Sequence, residues 1–243
     1  MDWRDDGIVL EVKKHGESSA VVNLLTAAHG RHAGLVRGGS GRRARGVLQP
    51  GNVVAANWRA RLPEHLGTMT CELVKPHAAE VMDDAVRLAA LTSACALVQG
   101  SMPEREPHPA LYEATRVLLE HLAGENWPTL YVRWELGLLG ELGFGLDLAE
   151  CAATGQDHDL AYVSPKSGRA VSLGAGEPYR DKMLALPEFL TTNGRPGNAA
   201  EIVAALRLTG HFLEKHVFGH ANHGVPEARR RLFERLGREV STA

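Results

Sequence analysis

Gly7-Ile8-Val9-Leu10-Glu11-Val12-Lys13-Lys14-His15-Gly16-Glu17-Ser18-Ser19-Ala20-Val21-Val22-Asn23-Leu24-Leu25 reads as two strands around a tight turn. Ile8, Leu10 and Val12 alternate with Val9, Glu11 and Lys13, the period of two that a half-buried strand shows. Gly16-Glu17-Ser18-Ser19 supplies the turn, and Val21 to Leu25 is a short apolar run. Outward from there, His29-Gly30-Arg31 turns the chain again. His32 to Val36 makes a third strand, which Gly38-Gly39-Ser40-Gly41 interrupts. Val53 to Trp58 and Thr68 to Val74 alternate as well, the latter with Met69, Cys71 and Leu73 on one face.

About five short strands, broken by Gly, Asn and Pro, have the spacing of an all-β barrel or sandwich. Closing so small a sheet removes its exposed edges. A five-stranded OB barrel is therefore expected over residues 1–77. After Lys75-Pro76 the period changes, and residues 78–243 read as a helical domain, so the chain as a whole is α+β and multi-domain. Asp83-Asp84 precedes a run with Val86, Ala90, Ala94, Leu97 and Val98 at helical spacing, with the acids at the positive end of the dipole. Leu111 to Leu122 and Leu130-Trp134-Leu138-Leu142 form two further stripes. Gly137, Gly140 and Gly143 lie along the latter, and interior glycine costs about 1 kcal/mol against alanine. Close approach of another helix is expected there. About 147–195 reads as an irregular excursion; Ala199–Phe218 and an Arg-rich Pro226–Leu236 read as helices.

The chain's 243 residues, 44% hydrophobic and 23% charged, can bury a real core. Net charge is −2, but residues 1–75 carry +4 and residues 76–243 carry −6. Three scattered cysteines fit a reducing compartment. The charged N-terminus lacks a signal-peptide core, and no stretch approaches the ~20 apolar residues of a membrane span. A cytosolic protein without membrane contact is expected.

From Ser18 to Pro63 there are seven arginines and no acid: Arg31, Arg37, Arg42, Arg43, Arg45, Arg59 and Arg61. Arginine pairs bidentately with phosphate and cannot lose its charge. The glycines at 38–41 let backbone approach a ligand. A basic groove on a barrel is how many proteins hold single strands. The plainer alternative is a solvated loop. Only Trp58 offers a stacking ring within the segment, so backbone contact is favoured over base readout.

Enzyme motifs are absent. Gly16-Glu17-Ser18-Ser19-Ala20 has Ala20 where a nucleophile elbow needs glycine. The glycine run at 38–41 is followed by arginines instead of Gly-Lys-Ser/Thr, and opens no obvious helix. His211, His216, His220 and His223 cluster in sequence, but no Glu or Cys completes a metal site. Cys151 has no C-x-x-C partner and no base. The chain is therefore read as a non-enzyme. A protein–protein adaptor whose basic barrel binds an acidic peptide is the competing class. An enzyme with an unrecognised site in 145–195 is the third.

Gly7-Ile8-Val9-Leu10, Gly16-Glu17-Ser18-Ser19, His29-Gly30-Arg31, Val36-Arg37-Gly38-Gly39 and Gly46-Val47-Leu48-Gln49-Pro50 resemble, in order, the N-terminal pattern of the RecO family. Arg133-Trp134-Glu135-Leu136 and the run Leu139 to Leu148 look like its central helix, and Cys151 and Tyr162 to Gly168 follow in place. The resemblance spans nearly the whole chain. It implies an OB barrel and a helical domain that bind single- and double-stranded DNA, anneal complementary strands and, with RecR, help load RecA onto DNA coated by single-strand binding protein. It implies no cofactor and a cytoplasmic, nucleoid-associated place. It assigns Arg37, Arg42, Arg43 and Arg45 to a DNA-binding loop, and Arg133 to the region receiving the acidic tail of single-strand binding protein. Some members hold zinc with two C-x-x-C pairs. Here Cys151 and Thr154 stand for the first, Ser172 and Ala175 for the second. One thiolate cannot make a tetrahedral site, so no zinc is expected, and residues 149–176 are left to packing alone.

Overall fold

A computed structural model of the chain describes residues 1–191, 195–219 and 224–242, the side chains of 239, 241 and 242 excepted. It divides into two compact units. The first is Met1–Ala123 with Pro226–Arg229, the second Gly124–Val225 with Arg230–Ala243.

Five strands, β1 (Asp2–His15), β2 (Ser19–Thr26), β3 (Gly30–Val36), β4 (Val53–Arg59) and β5 (Thr68–Lys75), form a closed barrel in the order β1-β2-β3-β5-β4. The expected OB-type barrel is thus present. Every ladder is antiparallel except β3–β5, a parallel seam held by the pair Leu35–Thr68, where Leu35 N donates to Gly67 O at 3.1 Å. Val9, Val22, Leu24, Val54, Ala56, Trp58 and Met69 fill the interior. A bulge between Val9 and Glu11 breaks the simple alternation of β1. Ile8 and Leu10 are buried outside the barrel cluster. Leu73 shares the face of Met69 and Cys71 and pairs with Val54, yet is 42% exposed; it is the last residue in register before a bulge at Val53/Val54. Trp58 is turned inward and donates its Nε1–H to Leu66 O, so it offers no stacking face.

At the mouth near Trp58, Trp3 stacks on His29 at 4.4 Å and His32 packs edge-on against both tryptophans. Burial, with Arg105 and His29 adding to it, pushes the His32 imidazole down to about 4.

Between β3 and β4 lies α1 (Arg42–Val47), and after the barrel come α2 (His77–Val81), α3 (Ala85–Ser101) and α4 (Pro109–His121). Asp84 caps α3 as expected, accepting from Val86 N and Arg87 N. α3 packs on β1, where the Cys95 thiol meets Val9 O. Gly30 adopts φ +62°, and a Cβ there would fall 1.9 Å from Glu106 O. Glycine alone lets β3 begin against the 102–106 loop.

In the second unit α5 (Trp127–Glu141) buries Trp127, Tyr131, Trp134, Leu138 and Leu139. Its glycines do not admit a helix: a Cβ on Gly137 or Gly140 would meet nothing within 4 Å. Both sit on the exposed face, and Gly143, at φ +82°, ends the helix instead of lying within it. The 147–195 stretch is not irregular throughout. β6 (Leu160–Val163), β7 (Ala170–Ser172) and β8 (Leu184–Ala185) form a sheet ordered β7-β6-β8, with a short α6 (Leu173–Gly176). Nor does packing alone hold residues 149–176. Ala152 N donates to Ala170 O, Cys151 N to Gln156 O, and Ser172 N to Cys151 Sγ at 3.2 Å. Burial raises the Cys151 thiol, but donors from Ser172, Thr154 and Ala153 outweigh it and carry it down to about 6.

α7 (Ala199–Phe212) starts in a capping box of Asn198 and Glu201 and continues as a π-helical turn, Leu213–Phe218; α8 (Glu227–Thr242) follows. His216 stacks on Phe144 at 4.9 Å, and His211 meets Pro165 O. His220 and His223 lie outside the described residues. Among the described residues no group of three metal-ligating side chains occurs, and no helix is long and apolar enough to cross a membrane.

Candidate nucleic-acid interface

The glycine run Gly38–Gly41 does open a helix, contrary to the sequence reading. Gly41 stands at its N-cap without a side-chain bond, and Arg42–Val47 form α1. So short a helix needs tethers, since nucleation is costly. Asn52 supplies them. It is 1% exposed; its Nδ2 donates to Gly46 O and Val47 O at 3.2 and 3.1 Å, and its Oδ1 accepts from Ala78 N at 3.1 Å. Ala44 and Val47 pack on the barrel core, which leaves the arginines outward.

The ladders bring Arg59 and Arg37 to the two sides of the β3–β5 seam. Arg59 pairs with Thr68, Thr68 pairs with Leu35, and Arg37 follows two residues on. A groove of about 590 Å³ runs along the seam, lined by Arg37, Arg43, Ala44, Val47, Thr68 and Thr70 among others. Arg42 and Arg45 project from α1 beside it, Arg45 with its Nε–H on Ser40 O. Arg37, Arg42, Arg43 and Arg61 are exposed and paired with no acid among the described residues. Arg59 is 81% exposed, with Asp2 at 4.0 Å. An exposed pair at that distance neutralises little.

Arg31 is not part of this set. Its side chain is 14% exposed, its Nε donates to Met102 O at 2.8 Å, and its Nη1 meets Glu104 at 3.3 Å. It holds the 102–106 loop on β3. Thr68 and Thr70, which line the groove, went unsingled in the sequence; their signal was the polar half of the alternation in β5.

Arg133 stands on the exposed face of α5 and donates to Phe189 O at 2.9 Å. It borders a small pocket of about 240 Å³ with Thr129, Leu130, Arg195 and Pro196. Arg195 is engaged by Glu201 at 2.9 Å.

The arrangement can hold a polyanion by its backbone. It presents fixed cations and hydroxyls and no free stacking ring within the arginine segment. No nucleophile with a neighbouring base is found in it. Burial holds the Cys71 thiol, also in the groove lining, up at about 12, so it stays protonated.

Comparison with known proteins agrees with this architecture. Residues 1–77 match the family model for Recombination protein O N terminal, and residues 82–223 that for Recombination protein O C terminal. A DNA repair protein RecO of Rhodospirillum centenum is 57% identical over 100% of this chain and 98% of its own length. Those of Rhodospirillum rubrum and Cereibacter sphaeroides are 51% and 48% identical, each over 98% of this chain and 97% and 100% of their own lengths. With both halves matched and full-length relatives at this identity, the chain belongs to the RecO family.

Proposed function

We propose that this protein is a recombinational DNA repair mediator without catalytic activity of its own. It binds single- and double-stranded DNA, anneals complementary strands and, with RecR, helps load RecA onto DNA coated by single-strand binding protein. It works in the cytoplasm, at the nucleoid. The observation that carries the DNA contact is the exposed Arg37 and Arg43 lining the groove, with Arg42 and Arg45 on α1 beside it and Arg59 across the seam; Arg61 is exposed as well. Family membership supports the repair role.

Cations there displace the condensed counterions of a phosphodiester, giving binding that falls with salt and ignores sequence. Two strands held with their repulsion screened would find each other faster. Arg133 beside its pocket offers a bidentate partner for a carboxylate, which suits the acidic tail of single-strand binding protein.

The test is fluorescence anisotropy of labelled single-stranded DNA against salt. Replacing Arg42, Arg43 and Arg45 with Ala removes up to three phosphate contacts, so the slope of log K on log salt should flatten by about 2. Unchanged affinity and slope refute this placement. Binding of an acidic peptide with no binding of any strand would favour an adaptor.

A further inference from the structure

The groove beside α1 does not end at β5. On the far side of that strand the register builds a second polar surface. Asp2, Arg59 and Thr68 stand in one row across β1, β4 and β5; Arg4, Asn57 and Thr70 stand in the next. All six are exposed, on the outer face of the sheet. With Trp3 and Trp58 beneath, they line a second groove of about 540 Å³. Thr68 and Thr70 line both grooves, so the two are joined along β5. Arg4 pairs with no acid among the described residues.

These side-chain types are the ones that contact phosphate and sugar: arginine as a charged fork, asparagine and threonine as neutral donors. No ring is free for a base here. Trp58 is buried, and Trp3 is stacked between His29 and Trp58.

We propose that the outer face of β1, β4 and β5 is a second track for the backbone of the same single strand of nucleic acid, entered across Thr68 and Thr70. It uses Arg59 and Arg4 as cations and Asn57 as a donor. The proposal rests on the DNA-binding reading above and extends it. From β5 to β1 is two strand spacings, about 10 Å; phosphates along a single strand sit farther apart than the axial rise of a duplex, so this adds roughly two nucleotides to the path. Asp2 is the discordant member among the six, and the exposed acids Asp6 and Glu72 of the next row bound the track on its other side. The Asp2 carboxylate lies 4.0 Å from Arg59 and repels a phosphate arriving there.

The experiment titrates the full chain with labelled oligo-dT of graded length, from about 6 to about 30 nucleotides, a span that brackets the usual site sizes of such barrels. The Arg4→Ala/Asn57→Ala double variant, at two positions that line only the second groove, should match the wild type on the shortest strands. Its affinity should stop rising about two nucleotides earlier, and on long strands its salt slope should be flatter by about 0.7. Asp2→Asn should bind long strands about two- to fivefold more tightly, the size of an exposed charge effect. A purely structural role for these residues gives no such tightening. All the positions are exposed, and unchanged thermal melts would verify folding.

A double variant equal to the wild type at every length, with Asp2→Asn also unchanged, overturns the second track. If in that case the Arg42/Arg43/Arg45 variant still loses binding, the α1 groove stands alone and the DNA-binding reading survives. If the wild type binds no strand even at low salt, both fall.

Discussion

Asn52→Ala removes no charge and touches no ligand, yet it should weaken both the fold and the arginine groove. The buried side chain makes three part-buried hydrogen bonds, two to carbonyls at the end of α1 and one from Ala78 N at the start of α2. Each bond contributes about 1 kcal/mol net, so a loss of about 2–3 kcal/mol is expected. Gln49→Ala is the control. Its bond to Arg45 O is exposed, so its loss should cost well under about 1 kcal/mol. Urea unfolding followed by circular dichroism reads both. The DNA readout is coupled to the same bonds. With its last carbonyls released, α1 frays, and Arg42, Arg43 and Arg45 no longer act as a fixed set. Affinity for single-stranded DNA and the salt slope should fall together although every arginine remains. A loss below about 1 kcal/mol, or lowered stability with an unaltered salt slope, refutes the view that Asn52 organises the groove.

Gly30→Ala should prevent stable folding of the barrel, since its Cβ would meet Glu106 O at 1.9 Å, whereas Gly16→Ala, at similar φ but in open space, should cost only about 1–2 kcal/mol in a thermal melt. Arg31→Ala should lower stability by about 2 kcal/mol, because it strips two contacts from the 102–106 loop, and should leave the DNA salt slope unchanged, the reverse of the α1 variants. His32 is held neutral, with its folded value near 4 against an ordinary 6.5. Its contribution is therefore complete above pH 6.5 and is lost as pH falls from there through 4, by at most about 3 kcal/mol. A His32→Asn variant should show a shallower loss of stability over that window, and equal slopes for the two proteins would remove His32 as the cause.

Much of the barrel was legible because alternation survives in its strands, and α3 because Asp84 announces it. The failures share a physical cause: they depend on partners distant in sequence. Arg31 looks like its fellow arginines until β3 meets the 102–106 loop. α1 was hidden by Gly41 and Gly46, whose poor helix propensity is offset by the tertiary tether from Asn52. Gly137 and Gly140 have the same sequence whether a neighbour presses on them or nothing does. Trp58 was misjudged as a stacking ring although its own alternation with Val54 and Ala56 already placed it inside. The β6–β8 sheet is made of strands of two to four residues, too short to show a period.

The seam between β3 and β5 gives the barrel an order of opening. A cylinder of hydrogen-bonded strands yields first along its least cross-linked line. Between β3 and β5 that line holds one ladder pair, against eight between β1 and β2. It also runs through the floor of the arginine groove. Amide hydrogens flanking Leu35 and Thr68 should therefore exchange with solvent before those of the meander. A strand of nucleic acid bound across the groove would staple that line from outside, and ligand occupancy would be read as slowed exchange at the weakest joint of the fold.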